Sequence, residues 1–225
     1  MASRYQVYVD IIIPAHNEAD TIANVVKAAK ESRFHNIVHV FADACSDDTA
    51  NNASVAGAEV HTVDFHNKGS VMAYGLEHVA TTHVCFLDGD LIGLTSDHVD
   101  SLLSLRNVHG IGLRDKAIKK VTYGFPFPKI AGERILPTYV ARQAELYNSG
   151  YEAEMKLNLA SHKAGLETKY VMMYGCDHRQ MDQKWGFANS IKPDLTRWYS
   201  VFKGTVKYIL KENGGSVSEP PNSQP

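Results

Sequence analysis

Along the first ninety residues, short apolar runs alternate with stretches in which apolar residues recur every three or four positions. The short runs are typical of buried parallel strands, and they lie at residues 7–13, 37–42, 59–63 and 84–87. The stretches between them have helical spacing, at residues 20–29, 47–56 and 71–79. This alternation predicts an α/β fold in which a mostly parallel central sheet is flanked by crossover helices.

The second half of the chain has a less regular pattern. It predicts further helices at residues 99–105 and 152–163, and strands at residues 110–113 and 168–173. Residues 116–128 mix basic residues with Phe-Pro-Phe-Pro, which favours a loop or a lid. We expect one catalytic domain over residues 1–213, in which residues 1–95 and 96–213 form two halves. Residues 214–225 are polar and are predicted to form a disordered tail.

Composition and charge narrow the class of protein. The chain has 225 residues, 44% of them hydrophobic and 21% charged, as in globular proteins. Its formal net charge of −2 lacks the basic excess that nucleic-acid binding requires, so we expect no nucleic-acid partner. The three cysteines are widely spaced, and no long apolar run or leader pattern stands out. These features favour a cytoplasmic protein.

Polar residues cluster where the predicted strands end. Because ligands of parallel α/β sheets bind beyond the carboxyl ends of the strands, these clusters indicate a site. The sharpest cluster is Asp88-Gly89-Asp90, directly after the fourth strand. Two carboxylates at this spacing can turn towards one hard cation, and Mg²⁺ and Mn²⁺ prefer such oxygen ligands.

Three other residues at the strand ends have chemistry that suits a nucleotide. Asp43 and Glu18 can accept hydrogen bonds from a base or a ribose, whereas Asp47 is predicted to cap the second helix. Lys68 precedes Gly69 at the start of the third helix, where an ammonium and backbone N–H groups suit a diphosphate.

In order and spacing, four segments of the first hundred residues resemble the GT-A glycosyltransferases of family 2. They are Ile11 to Glu18, Asp43 to Thr49, Lys68-Gly69 and Phe86 to Leu91. The resemblance implies a UDP- or GDP-sugar donor, with UDP preferred, and Mn²⁺ or Mg²⁺ held by Asp90 and Asp88. It also implies a nucleotide-sugar site made of Pro14, Ala15, Asn17, Glu18, Asp43, Lys68, Asp88 and Gly89. Ala42 and Ala44-Cys45 depart from the common Asp and Gly-Ser, so the resemblance leaves the base open.

The second half resembles the glucosyl-3-phosphoglycerate synthases and their short bacterial relatives. Gly132-Glu133-Arg134 is similar to their Gly-x-Arg segment, which implies that Arg134 lies beside the acceptor. Gly150 to Glu154 is similar to their Gly-Tyr-x-x-Glu segment, which implies that Glu154 faces the donor sugar or the acceptor. His178 matches the histidine that completes their metal site. The loop that binds the acceptor phosphate has no match, so phosphoglycerate is not carried over.

The resemblance predicts a hexosyltransferase, and two chemical routes stay open. An inverting enzyme needs a base for the acceptor hydroxyl, for which Glu154 and Asp177 are candidates. A retaining enzyme can use the phosphate of its own donor, and the matches at Glu154 and His178 favour this route. The alternatives are a sugar-nucleotide pyrophosphorylase, which the segment Pro14 to Glu18 disfavours, and a non-catalytic nucleotide-sugar-binding protein.

The predicted helix at residues 195–210 is amphipathic. Packing on the core is its ordinary explanation. A peripheral membrane contact that reaches a lipid-linked acceptor, or a homodimer contact, is also compatible with it. The acceptor is therefore left open between a small molecule and a lipid-linked molecule.

Overall fold

The computed structural model describes residues 8–115 and 131–179. In these residues the strands are β1 (Val9–Ala15), β2 (His35–Asp43), β3 (Glu59–Val63), β4 (His83–Phe86), β5 (Leu91–Ile92), β6 (His109–Arg114), β7 (Arg134–Pro137), β8 (Thr168–Met173) and β9 (Asp177–His178). The α-helices are α1 (Ile22–Lys30), α2 (Thr49–Val55), α3 (Lys68–Glu77), α4 (Ser96–Leu103), α5 (Thr138–Arg142) and α6 (Ala153–Lys163). A short 3-10 helix (Gly150–Glu152) leads into α6.

Seven strands form one sheet in the order β3-β2-β1-β4-β7-β6-β8. The strands β3, β2, β1 and β4 are parallel to one another, as the alternating pattern predicts. β7 is antiparallel to both β4 and β6, and β6 is parallel to β8. β5 and β9 form a separate antiparallel ribbon. The carboxyl ends of β1, β2 and β4 therefore meet at one edge, where the polar clusters lie.

Helices cover both faces of the sheet, which explains why the central strand β1 is apolar on both of its faces. Ile11 and Ile13 of β1 pack with α1, α2 and α4 on one face, while Ile12 packs with α3, α5 and α6 on the other. All three isoleucines are fully buried. Burial of each such side chain contributes about 1.5–3 kcal/mol relative to exposure.

The predicted elements of the first half are confirmed, with small differences in their bounds. β1 continues through Pro14 because its pairing with β4 ends at Ile12, so the absent N–H of Pro14 removes no bond to that strand. α3 begins at Lys68, earlier than residue 71, because the Asn67 side chain accepts a hydrogen bond from the Ser70 N–H and caps the helix.

Several predictions lie outside the described residues: the loop at 116–128, the helix at 195–210 and the tail at 214–225. Within residues 8–115 and 131–179, no helix has both the length and the apolar composition needed to cross a membrane.

Candidate active site

The Asp88-Gly89-Asp90 turn is packed tightly against the end of β1. A Cβ on Gly89 would lie 3.2 Å from the Cβ of Ala15 and 3.3 Å from the Pro14 carbonyl oxygen. The Thr21 hydroxyl donates a 2.8 Å hydrogen bond to the Gly89 carbonyl. The glycine thus permits a close approach of two segments, and the turn holds both carboxylates at the edge where β1 and β4 end.

Lys68 brings a fixed cation to this turn. Its ammonium donates 2.7 Å hydrogen bonds to Oδ1 of Asp88 and to Oε1 of Glu154, which lies in the first turn of α6. Burial alone would lower the pKa of Lys68, but the two carboxylates outweigh it and raise the pKa. The structure thus brings together three residues that were predicted to belong to the site: Lys68, Asp88 and Glu154.

His178 reaches the same carboxylate from the other half of the chain. The pairing of β9 with β5 sets Leu91 opposite His178, directly after the Asp88-Gly89-Asp90 turn. The His178 Nε2 atom lies 3.1 Å from Oδ2 of Asp88 and 3.7 Å from Oδ1 of Asp90. Burial would lower the pKa of His178, but the nearby carboxylates of Asp88 and Glu133 outweigh it and raise the pKa to about 9. The imidazole is therefore protonated at neutral pH in this arrangement.

Glu133 is a site residue that the sequence analysis missed. It is fully buried, and its Oε2 accepts a 2.9 Å hydrogen bond from Arg114. Its Oε1 accepts no hydrogen bond within the described part of the chain and lies 3.7 Å from Nε2 of His178. Burial would raise the pKa of Glu133, but the Arg114 guanidinium lowers it below its usual value. The signal in the sequence was an acidic residue inside the segment Gly132-Glu133-Arg134.

Asp88, Glu133 and His178 fit a divalent cation. One ligand atom from each lies within 4.8 Å of the others. Two carboxylates and one imidazole are a donor set suited to Mn²⁺ or Mg²⁺. A buried carboxylate oxygen of Glu133 that accepts no hydrogen bond from the described residues is what an ion would satisfy. The residues present therefore fit the metal that the resemblance implies.

Gly132 shapes the wall of this cluster. A Cβ at this position would lie 2.3 Å from Oδ2 of Asp88 and 2.5 Å from its carboxyl carbon. No side chain can occupy that space without displacing the carboxylate. The glycine of the Gly-x-Arg segment is thus needed for contact with Asp88.

Arg134 was predicted to lie beside the acceptor, and the structure gives it different partners. Its side chain is fully buried and donates hydrogen bonds to the carbonyl of Glu154 at 3.2 Å and to Oδ1 of Asn158 at 3.1 Å. It also donates to the carbonyl of Ala131. The guanidinium therefore braces α6 and the segment before β7, and its place beside the acceptor stays a prediction.

Asp43 was predicted to recognise a base or a ribose, and in the structure its carboxylate contacts the backbone of the chain. Its carboxylate accepts hydrogen bonds from the backbone N–H groups of Phe65, His66 and Asn67, at 2.6, 3.0 and 3.1 Å. Asp43 is 6% exposed. These contacts fix the connection between β3 and α3, so Asp43 shapes the edge at which a nucleoside would lie.

The ends of β1 and β2 are joined through the predicted nucleotide residues. Asn17 has a positive φ of 57°, which asparagine tolerates, and its side chain accepts a 2.9 Å hydrogen bond from the Ser46 N–H. The N–H of Glu18 donates a 2.7 Å bond to the Thr49 hydroxyl. Asp47 accepts a 3.0 Å hydrogen bond from the Thr49 N–H, but the N-cap of α2 is Asp48. The prediction that Asp47 caps the helix is therefore wrong, because Asp47 lies one residue too early and bonds within the turn that precedes the helix.

Asp177 lies at the margin of the cluster. Its Oδ1 accepts a 2.8 Å hydrogen bond from the N–H of His178 and lies 3.8 Å from a guanidinium nitrogen of Arg114. These contacts help to orient β9, and hence the imidazole of His178.

The comparison with protein families gives this geometry a context. Residues 10–103 match the family model described as Glycosyl transferase family 2. These residues belong to glycosyl transferase family 2. The family 2 segment confirms the predicted family, and it contains Lys68, Asp88 and Asp90. Glu133, Glu154 and His178 lie beyond its end.

Curated proteins similar to the chain include two bacterial ones. Protein RfbJ from Shigella flexneri is 35% identical over 80 residues, which are 36% of this chain and 62% of that protein. The 4,4'-diaponeurosporenoate glycosyltransferase from Staphylococcus aureus is 29% identical over 106 residues, which are 44% of this chain and 28% of that enzyme. The matched segments therefore cover less than two thirds of the length of either relative.

Solved structures with the same fold include glucosyl-3-phosphoglycerate synthase from Mycobacterium tuberculosis. Its complex with Mg²⁺ and uridine-diphosphate superposes with a TM-score of 0.69 at 19% identity, over 94% of this chain and 81% of that one. Its complex with Mn²⁺, uridine-diphosphate and phosphoglyceric acid gives the same TM-score and identity, over 94% and 80%. The chain therefore has the predicted GT-A fold beyond the segment that the family model matches.

Proposed function

We propose that the protein moves a hexose from a UDP-sugar to a hydroxyl acceptor, with the help of one divalent cation. One observation carries this proposal: the ligand atoms of Asp88, Glu133 and His178 converge beside the ammonium of Lys68. This convergence joins the family 2 segment to the second half of the chain. We further propose that residues 1–213 act as one catalytic domain.

Asp88, Asp90 and His178 would hold the cation, with Glu133 as a further carboxylate ligand. Mn²⁺ suits this mixture of oxygen and nitrogen donors, and Mg²⁺ suits the carboxylates. When bound, the ion supplies electrostatic stabilisation of the charge on the departing diphosphate. Arg114 holds Glu133 in place through its 2.9 Å hydrogen bond.

Lys68 would act on the same diphosphate as a hydrogen-bond donor. Its ammonium is shared between two carboxylates at 2.7 Å each, so it is held in place before a donor binds. A preorganised cation at the position where negative charge develops lowers the barrier more than one that must be ordered during the reaction. The N-terminal end of α3, which Lys68 begins, adds the field of its dipole.

The nucleoside would bind along the ends of β1 and β2, between Asn17 and the loop that follows Asp43. Glu18 is 6% exposed there and is the residue we propose for the ribose. The solved synthases, which are complexes with uridine-diphosphate, support UDP over GDP. The acceptor, whether small or lipid-linked, would approach from the side of Glu154.

We favour retention of configuration at the transferred sugar. The two candidate bases are engaged by other groups: Glu154 accepts from Lys68, and Asp177 accepts from the N–H of His178. A phosphate oxygen of the donor can take the proton of the acceptor hydroxyl on the same face of the sugar, without a protein carboxylate. The anomeric configuration of the product, read by proton NMR, tests this choice.

The release of nucleoside diphosphate tests the proposed activity. The purified chain would be incubated with UDP- and GDP-hexoses, with Mn²⁺ or with a chelator. We expect UDP to accumulate only in the presence of the metal. Release of sugar 1-phosphate would instead indicate a pyrophosphorylase. Binding without release of either product, with every acceptor tried, would indicate a non-catalytic binding protein.

A further inference from the structure

A second group of metal-ligating side chains lies away from the nucleotide edge. His39 is in β2, and Glu59 and His61 are in the neighbouring strand β3. His39 pairs with Glu59 across the two strands, and residues two apart in a strand share a face of the sheet. His39 precedes Asp43 by four residues, so it lies roughly 13 Å along the strand from the carboxyl edge.

The three side chains converge. Nδ1 of His39 lies 3.9 Å from Oε1 of Glu59, and Nε2 of His61 lies 3.6 Å from the same oxygen. One ligand atom from each residue lies within 4.8 Å of the others. A contraction of about 1.5 Å at most would bring these atoms to the ligand spacing of a tetrahedral ion with bonds of about 2.0–2.1 Å.

Three ring nitrogens of this cluster have no hydrogen-bond partner among the described residues. His39 is 2% exposed, yet neither of its ring nitrogens makes a hydrogen bond with any described residue. The same holds for Nε2 of His61. Buried ring nitrogens in native proteins are almost always hydrogen-bonded or bound to a metal, so three such atoms in one place indicate a ligand.

Aromatic packing explains where the rings of His39 and His61 lie, but it supplies no hydrogen-bond partner for their buried nitrogens. The His61 ring stacks on Phe41 with centroids 4.6 Å apart, and His78 lies 4.4 Å from His61. His78 is itself oriented by a 3.1 Å contact between its Nδ1 and the Tyr74 carbonyl. This wall closes one side of the cluster, whereas the Glu59 side chain is 53% exposed and leaves a path for an ion.

The protonation state of the imidazoles suits metal binding. Burial lowers the pKa of His39, and burial together with the neighbouring His78 and His39 lowers the pKa of His61. Burial therefore favours the neutral form of both rings, which is the form that binds a metal ion.

We propose that His39, Glu59 and His61 form a binding site for a transition-metal dication, for which zinc is the best match. Two imidazoles and one carboxylate are a common zinc donor set, and they leave the fourth tetrahedral position to water. The ion would tie the edge strand β3 to β2. It would thereby stabilise the connection between β3 and α3 that carries Asn67 and Lys68. This site is separate from the cation site at Asp88.

A zinc titration of the full chain, freed of metal with a chelator, tests this proposal by calorimetry and thermal unfolding. The background variant is Asp90→Asn, which weakens the nucleotide-edge site. We would add His61→Gln or Glu59→Gln to this background variant. The matched control adds His162→Gln instead, which changes an exposed histidine at the end of α6. Glu59→Gln alters a half-exposed side chain, so it remains informative if His61→Gln does not fold.

We expect the background and the control to bind one equivalent of zinc. Their melting temperature should rise by about 5–10 °C at zinc roughly 100-fold above the dissociation constant. His61→Gln and Glu59→Gln should weaken binding by about tenfold or more, since even the loss of an outer partner of a ligand has effects of this size. The proposal is overturned if the background binds no zinc, or if both variants bind it as tightly as the control.

Discussion

Lys68 donates a 2.7 Å hydrogen bond to one carboxylate oxygen of Asp88, and the other oxygen of that carboxylate lies 3.1 Å from the imidazole of His178. Asp88 therefore lies between two cations that come from distant parts of the chain. Lys68 and His178 together hold the pKa of Asp88 well below its usual value, against the effect of burial. When a divalent cation binds, it must take the place of the His178 proton.

Metal affinity should therefore rise with pH. The pKa of His178 is raised to about 9, so below that pH each metal ion must displace one proton from the imidazole. Between pH 7 and pH 9 we expect the Mn²⁺ affinity to increase by about tenfold per pH unit. Calorimetry in buffers of different ionisation enthalpy should count about one proton released per ion at pH 7. An affinity that is flat over this range would contradict the assignment of His178 as a ligand.

Replacement of Lys68 should separate catalysis from metal binding. Lys68→Met removes the ammonium that would stabilise the departing diphosphate, and loss of one such group lowers turnover by about 100- to 1000-fold. Mn²⁺ affinity should be unchanged or tighter, because a competing cation has been removed from Asp88. UDP release and Mn²⁺ calorimetry measure the two effects. The matched control is Lys163→Met, at an exposed position in the last turn of α6. A joint loss of metal binding and turnover would indicate a structural role for Lys68 instead.

Gly132→Ala should impair the site through Asp88. The added methyl group would lie 2.3 Å from a carboxylate oxygen, so Asp88 must move away from His178 or Lys68. We expect Mn²⁺ affinity and UDP release to fall by about tenfold or more, an effect of the size seen when a ligand loses its positioning. Circular dichroism should still report the wild-type fold. Unchanged Mn²⁺ affinity would show that Asp88 does not contribute to the cation site.

Ala44→Gly should stabilise the protein. Ala44 has a φ of 48°, a region that costs an alanine about 1–2 kcal/mol and a glycine almost nothing. The greater freedom of glycine in the unfolded chain offsets part of this gain, so we expect about 0.5–1 kcal/mol and a rise of roughly 2 °C in melting temperature. Ala42→Gly, in the buried part of β2, should lower the melting temperature. A lower melting temperature for Ala44→Gly would refute the inferred strain.

The first half of the fold was predictable from the sequence because each of its strands and helices has a clear pattern within its own short segment. Buried parallel strands such as β1 read as continuous apolar runs, and the helices between them have clear periodicity. The antiparallel strand β7 was missed because Arg134–Pro137 is only four residues long and begins with a charged residue. The ribbon of β5 and β9 was missed for a similar reason: two strands of two residues each, paired across more than eighty positions, leave no periodic signal.

The candidate site was predictable where its residues follow a strand, as Asp88 and Asp90 do. Glu133 was not predicted, because its meaning depends on its contact with His178, which is 45 positions away. No pattern around Arg134 indicated that its guanidinium would be fully buried against α6. Motif spacing thus identified the strand-end residues, whereas the contacts between the two halves had to come from the structure.

The binding of UDP with and without Mn²⁺, measured by calorimetry, tests the central claim most directly. Wild type would be compared with Asp90→Asn and with Asp97→Asn, a matched change at an exposed position in α4. We predict that Mn²⁺ tightens UDP binding by about tenfold or more in wild type and in Asp97→Asn, and that Asp90→Asn abolishes this gain. Equal UDP affinity in wild type with Mn²⁺ and with a chelator would contradict a cation site that holds the nucleotide diphosphate.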